Sequence, residues 1–122
     1  MIEKIYSFLG LARKANKLIS GDEVCERALK AGKVDLLIVA EDASLNTRKK
    51  FMDACNYNNI KFKIFGKKGL LGKSIGKELR SVIAIQEKEF SRNIIQMIDR
   101  ANTGYGGEFI GEKESISVGK GT

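Results

Sequence analysis

Apolar residues at the start of the chain recur at helical spacing. Ile2, Ile5, Tyr6, Leu9 and Ala12 fall on one face, which predicts an amphipathic helix from Glu3 to about Ala15. A short extended piece, Lys17-Leu18-Ile19, leads into Ser20-Gly21-Asp22-Glu23. Val24, Cys25, Ala28 and Leu29 then mark a second helix ending near Gly32, with Ser20 and Glu23 spaced as a capping box at its start. Val34 to Ala40 is apolar apart from Asp35, the signature of a strand buried on both faces. Glu41-Asp42-Ala43-Ser44 offers N-cap residues for a third helix, from about Leu45 to Asn56, with Phe51, Ala54 and Cys55 turned inward. Asn56 to Asn59 is turn chemistry, and Lys61 to Phe65 alternates like a strand near a sheet edge. A short helix within Gly69–Gly76, a buried strand at Val82–Ile85 and a last helix carrying Phe90, Ile94, Met97 and Ile98 complete the pattern. Helices alternating with short strands predict an α/β fold: a three-layer α/β/α sandwich on a small mixed sheet.

The pattern stops near Arg100. Residues 101–122 hold six of the thirteen glycines and only scattered apolar positions, which predicts one domain over 1–100 and a flexible Gly-rich tail. Charge sharpens the picture. Twenty-two Lys and Arg stand against fifteen Asp and Glu, a net +7 with no histidine. Residues 1–100 keep twenty basic and twelve acidic side chains, so the positive charge belongs to the domain. Such an excess favours phosphate-rich partners or anionic membrane surfaces. With no His and only Cys25 and Cys55, no ordinary zinc set can form, and the commonest general base is missing. Both cysteines sit at apolar helical positions and read as small hydrophobes in a reducing compartment. No apolar run is long enough to span a bilayer, and the first residues do not resemble a signal peptide. The expectation is a cytoplasmic monomer without catalytic residues, cofactor or metal, and with neither membrane nor DNA as partner.

Gly66-Lys67-Lys68-Gly69-Leu70-Leu71-Gly72-Lys73-Ser74 ends like a nucleotide-binding loop. That loop needs four residues between its first Gly and Gly-Lys-Ser, so that backbone amides wrap the phosphates. Here Gly66 lies one residue too early and Lys67 occupies the glycine position, so nucleotide hydrolysis is not expected. Glycines at 66, 69, 72 and 76 interleaved with Lys67, Lys68, Lys73 and Lys77 suit a different task. A basic glycine-containing loop can follow a phosphate backbone while an exposed Leu or Ile packs on an unstacked base. The start of the second helix offers complementary chemistry. A carboxylate there accepts hydrogen bonds from base-edge amino groups, while helix amides, Lys17 and Arg27 hold the backbone.

The stretch Gly21-Asp22-Glu23-Val24-Cys25-Glu26-Arg27-Ala28-Leu29-Lys30-Ala31-Gly32, followed by Val34-Asp35-Leu36-Leu37-Ile38-Val39-Ala40-Glu41-Asp42-Ala43, resembles the kink-turn-binding ribosomal protein family. That family is typified by the archaeal large-subunit protein "L-seven-Ae", and the chain looks most similar to its small bacterial, YlxQ-like branch. Leu71-Gly72-Lys73-Ser74-Ile75-Gly76-Lys77-Glu78-Leu79, then Val82-Ile83-Ala84-Ile85, resembles the family's second diagnostic region. The resemblance spans about residues 3–100. It implies an α/β/α sandwich that grips a kink-turn, a sharply bent RNA with tandem sheared G·A pairs. In the family the start of the second helix enters the groove beside those pairs, and the loop after Gly-x-Glu covers a flipped-out nucleotide. Carried over, these roles fall on Gly21, Glu23, Val24 and Arg27, and on Lys77, Glu78 and Leu79, with Lys17, Asp22 and Lys73 as neighbouring candidates.

The chain departs from the archaeal pattern in three places. Glu23-Val24 stands where archaeal members carry Asn-Glu, Arg27 stands where they carry Lys, and the Leu79-Arg80-Ser81 loop is one residue shorter and more polar. Val24 cannot accept a hydrogen bond, and losing one good base contact costs about 1–3 kcal/mol. The function expected is non-catalytic binding of structured RNA, a kink-turn or related element in ribosomal or RNase P RNA. The alternative is a protein-interaction module of the translation machinery whose basic face meets an acidic partner.

Overall fold

A computed structural model of the chain describes residues 1–106. Its elements follow in the order α1 (Ile2–Lys14), β1 (Leu18–Ser20), α2 (Asp22–Lys30), β2 (Leu36–Val39), α3 (Leu45–Asn58), β3 (Lys61–Ile64), α4 (Lys68–Ser74), β4 (Val82–Ile85) and α5 (Lys88–Gly106). The four strands form one mixed sheet in the order β1-β4-β2-β3. β2 and β3 are parallel, while β4 runs antiparallel to both β1 and β2. α2 and α3 pack together on one face, and α1 packs against α4 and α5 on the other, so the expected sandwich is the one observed.

The two central strands are the two continuous apolar runs. Every residue of Leu36–Val39 and Val82–Ile85 is buried, because helices cover both faces of the middle of the sheet. The edge strands are the mixed ones, with β3 buried only in part and β1 carrying Ser20 at its end. Phe51, Leu71, Ile94 and Ile98 close the core from the helices. Ser44 caps α3 as expected, its hydroxyl accepting the Thr47 amide at 3.1 Å. α5 runs on through residues 101–106, beyond the boundary expected at Arg100, and Ala101 packs against the core. The expected tail otherwise falls on 107–122, outside the described residues.

At α2 the sequence pattern misleads. Ser20 was expected to cap the helix, but it is the last residue of β1, and its hydroxyl accepts a hydrogen bond from Arg80 Nε at 3.0 Å. The N-cap is Gly21, with φ 102° and ψ 147°, and no side chain caps the helix. The reason is register. Ser20 pairs with Ile83, and the Gly21 amide still donates to the Val82 carbonyl at 3.0 Å, so the ladder holds Ser20 extended. The chain turns only at the next residue, into a backbone conformation that is essentially glycine's alone.

Cys25 and Cys55 are free and buried, as small hydrophobes. The Cys25 thiol faces the Val82 and Ile19 carbonyls at 3.9 and 4.0 Å, seating α2 on the sheet. Burial pushes both thiols up to about 12. At pH 8 that leaves about a thousandfold less thiolate than in the urea-unfolded chain, so the native protein should react with iodoacetamide at least about a hundredfold more slowly. Equal rates in the two states would show that the thiols are open to solvent.

Candidate nucleic-acid interface

The segment between α4 and β4 doubles back along the helix it has just left. Gly76 follows the end of α4, and the Lys77 amide returns to the Gly72 carbonyl at 2.8 Å. A Cβ on Gly72 would sit 1.3 Å from the Glu78 carbonyl oxygen, and one on Gly69 would sit 3.9 Å from Leu79 Cδ2. The Arg80 amide then donates to Lys68 O at 3.1 Å, at the first turn of α4. Residues 76–81 thus lie as a strap along one strip of α4 that the glycines leave bare. The strap leads directly into β4, beside which Gly21 starts α2.

Two distant stretches of sequence therefore meet at one end of the sheet. Gly21, Asp22, Glu23, Val24 and Arg27 come from α2, and Lys77, Glu78 and Leu79 from the strap. Arg80 joins them. Its Nε donates to Ser20 Oγ, and its Nη1 donates to the Leu79 carbonyl at 2.9 Å, so one guanidinium braces both sides. The sequence does not single out Arg80 for this junction. Its only signal was position, as the last cation before a buried strand.

The surface at this junction mixes three chemistries. Asp22, Glu23 and Arg27 are exposed, and none of the three is in an ion pair among the described residues. Glu23 and Arg27 stand one turn apart on the same helix face, an acceptor beside a planar donor fork. Val24 and Leu79 are exposed apolar residues, at 40% and 63% of their full area, on either side of the junction. The open space above Gly21, where a Cβ would meet nothing within 4 Å, lets a ligand approach the backbone at the start of α2. Uncapped helix amides there are suited to phosphate or another acceptor.

Two candidates lie elsewhere. The Lys17 carbonyl accepts the Gln86 amide at 2.8 Å, placing Lys17 beside the end of β4 while Gly21 lies beside its beginning. Three extended residues lie between them, and the four steps from Lys17 to Gly21 span about 13 Å. At Lys17's end sits Glu87, whose carboxyl is held low by the Phe90 and Glu89 amides and then by the charges of Lys17 and Arg92. Lys73 is exposed on α4, but on the side that faces α1 rather than the strap. Most of the Gly/Lys segment is helix rather than loop. The Asp42 carboxylate accepts the Lys68 amide at 2.9 Å and fixes its first turn, and Lys67 is drawn into an ion pair with Glu41 at 3.2 Å.

Gly72-Lys73-Ser74 closes α4 instead of opening a helix, and the Ser74 hydroxyl donates to Leu71 O at 2.8 Å. This is the reverse of a nucleotide-binding loop, in which the same three residues begin the helix. Among the described residues no group of three or more His, Cys, Asp or Glu side chains comes together in a metal-binding arrangement. No helix among them is long and apolar enough to cross a membrane.

The chain is similar to proteins of known sequence and structure over this same domain. The RNA-binding protein YlxQ of Bacillus subtilis is 37% identical over 94 residues, covering 77% of this chain and 94% of that protein. The RNA-binding protein YlxQ of Enterococcus faecium is 33% identical over 98 residues, covering 80% and 93%. A solved structure of a protein of unknown function from Bacillus halodurans C superposes with a TM-score of 0.76 at 40% identity, over 79% of this chain and 97% of that one. The Giardia lamblia 15.5kD RNA binding protein shares the fold, with a TM-score of 0.67 at 18% identity over 80% and 83%. With residues 3–95 also matching its profile, the chain belongs to the Ribosomal protein L7Ae/L30e/S12e/Gadd45 family, within its YlxQ-like bacterial branch.

Proposed function

We propose that the protein binds a folded RNA, a kink-turn or a closely related element of ribosomal or RNase P RNA, in the cytoplasm and without catalysis. The observation that carries this reading is the meeting of the α2 start with the 76–81 strap across Arg80. Acceptor, cation and exposed apolar groups there share a small surface on rigid elements. In the proposed mode Glu23 accepts from base-edge amino groups in the opened groove, and the amides at the start of α2 take a neighbouring acceptor. Arg27 and Lys77 hold phosphates, and Leu79 packs on an unstacked nucleotide. The RNA-binding relatives support the choice of RNA as the ligand class.

The test is titration of labelled kink-turn RNA at about 0.15 M salt, against the same RNA with its G·A pairs replaced by Watson–Crick pairs. Tight binding to the first and weak binding to the second is expected. Equal binding would leave a general basic RNA binder, and no binding would turn attention to an acidic protein partner. Arg27→Ala should weaken the complex and lower the slope of log Kd against log salt by about 0.7–0.9, one phosphate contact. An unchanged slope would take Arg27 out of the interface.

A further inference from the structure

α4 presents a second strip beside the one covered by the strap. Leu70, Lys73 and Ser74 stand one step round the helix from Gly69 and Gly72, and they face Gly10, Leu11, Arg13 and Lys14 of α1. Between the two helices runs an open groove of about 790 Å³ that ends at Ile75 and Gly76, where the strap begins. Gly10 sets its depth, because a Cβ there would lie 2.8 Å from the Ser74 carbonyl oxygen and would hold α1 away from α4. The walls are apolar in part, with Leu11 and Leu70 exposed to 55% and 49%.

The rim is cationic. Arg13, Lys14 and Lys73 line the groove, and Lys77 follows directly on Gly76. None of these four side chains is in an ion pair or hydrogen bond among the described residues, whereas Lys49, Lys50, Lys63, Lys67 and Arg92 are all paired with carboxylates. The one carboxylate of the lining, Glu3, lies 3.5 Å from the Met1 ammonium group. An unneutralised cluster of cations around exposed leucines calls for an anionic partner that also brings apolar area.

Resting on the RNA reading of the strap, we infer that the α1–α4 groove takes the single strand flanking the structured element. Its phosphates lie on Arg13, Lys14 and Lys73, and an unstacked base packs against Leu11 and Leu70. Charge complementarity and continuity with the strap through Gly76 favour an RNA strand over a peptide.

The probes are a minimal kink-turn RNA, the same RNA with ten uridines added at its 5′ or its 3′ end, and free decauridine. They are titrated against the full chain and the double variant Arg13→Gln/Lys14→Gln, after both are shown to melt alike. On one of the tailed RNAs, and on decauridine, the double variant should lose about 1.4 from the salt slope, two single-strand contacts. On the minimal RNA its slope should match the wild type. A 4-thiouridine in the tail should cross-link to the peptide carrying residues 11–14. Wild-type slopes for the double variant on every uridine-bearing probe, or equal loss on minimal and tailed RNA, overturn the groove and leave the strap reading standing. If the kink-turn RNA is not preferred but decauridine binding still depends on Arg13 and Lys14, the strap reading fails and the groove survives.

Discussion

Gly72→Ala should destabilise the protein by about 3 kcal/mol, the upper end of what overpacking a core position costs. The position is buried in α4, where alanine is otherwise the better helix former. The whole effect therefore comes from the strap. An added Cβ meets the Glu78 carbonyl oxygen at 1.3 Å and its carbon at 2.5 Å, and these are backbone atoms that no rotamer change can move aside. Either α4 shifts, which disturbs Leu71 in the core, or residues 77–79 lift away from the helix. Urea unfolding should show a midpoint lower by about 1–2 M, with a similar m-value if the strap alone is displaced. A midpoint equal to wild type would mean that the strap moves freely, and it would then be too loose to position Lys77 and Leu79. In the proposed binding mode RNA affinity should fall as well, since Lys77 and Leu79 travel with the strap.

That close approach explains why the fold could be read from the chain more completely than the site. The central strands announced themselves: Leu36–Val39 and Val82–Ile85 are apolar without interruption, and both their faces are covered. α1 and α3 carry ordinary amphipathic and capping signals. The site depends instead on contacts between segments far apart in sequence. Ser20 and Glu23 match a capping box locally, yet pairing of Ser20 with Ile83 in β4 overrides that preference and passes the cap to Gly21. Lys17 looks adjacent to the helix start because only three residues separate it from Gly21, but those residues are extended and carry it to the other end of β4. Arg80 has the converse history. Sixty residues from Ser20, it touches both halves of the junction, and no local pattern distinguishes it from any other surface arginine.

α4 is the element on which these placements depend. It is short, and its bare glycine strip admits the strap while its next strip, with Lys73 and Leu70, faces α1. A phosphate-loop reading of Gly72-Lys73-Ser74 treats the glycine and lysine as ligand-binding residues. In the fold the glycine is a packing residue and the serine hydroxyl is spent on Leu71 O, so only the lysine stays available to a ligand. The Gly-Lys pattern therefore reflects how the strap is seated more than what it binds.

Gly21→Ala should separate stability from recognition. At φ 102° and ψ 147° an L side chain is strained by about 1–3 kcal/mol, and nothing within 4 Å would clash with the new methyl. The chain can relieve that strain only by rotating the peptide that links β1 to α2, which loosens the Gly21 N to Val82 O bond of 3.0 Å. The first turn of α2 would then swing away from the strap, carrying Glu23 and Val24 with it. Domains of this size hold about 5–15 kcal/mol of stability, so the variant should remain folded at 25 °C. On the proposed kink-turn reading, RNA affinity should nevertheless drop about tenfold or more, the scale of one lost base contact. Gly32→Ala provides the control. Gly32 also has positive φ, at 71°, and open space around it, but it lies beyond the opposite end of α2. It should cost about 1 kcal/mol of stability and leave RNA binding untouched. If both variants lose affinity in proportion to their loss of stability, the start of α2 is a structural joint and not a contact surface. If only Gly21→Ala loses it, the start of α2 is a contact surface for the RNA.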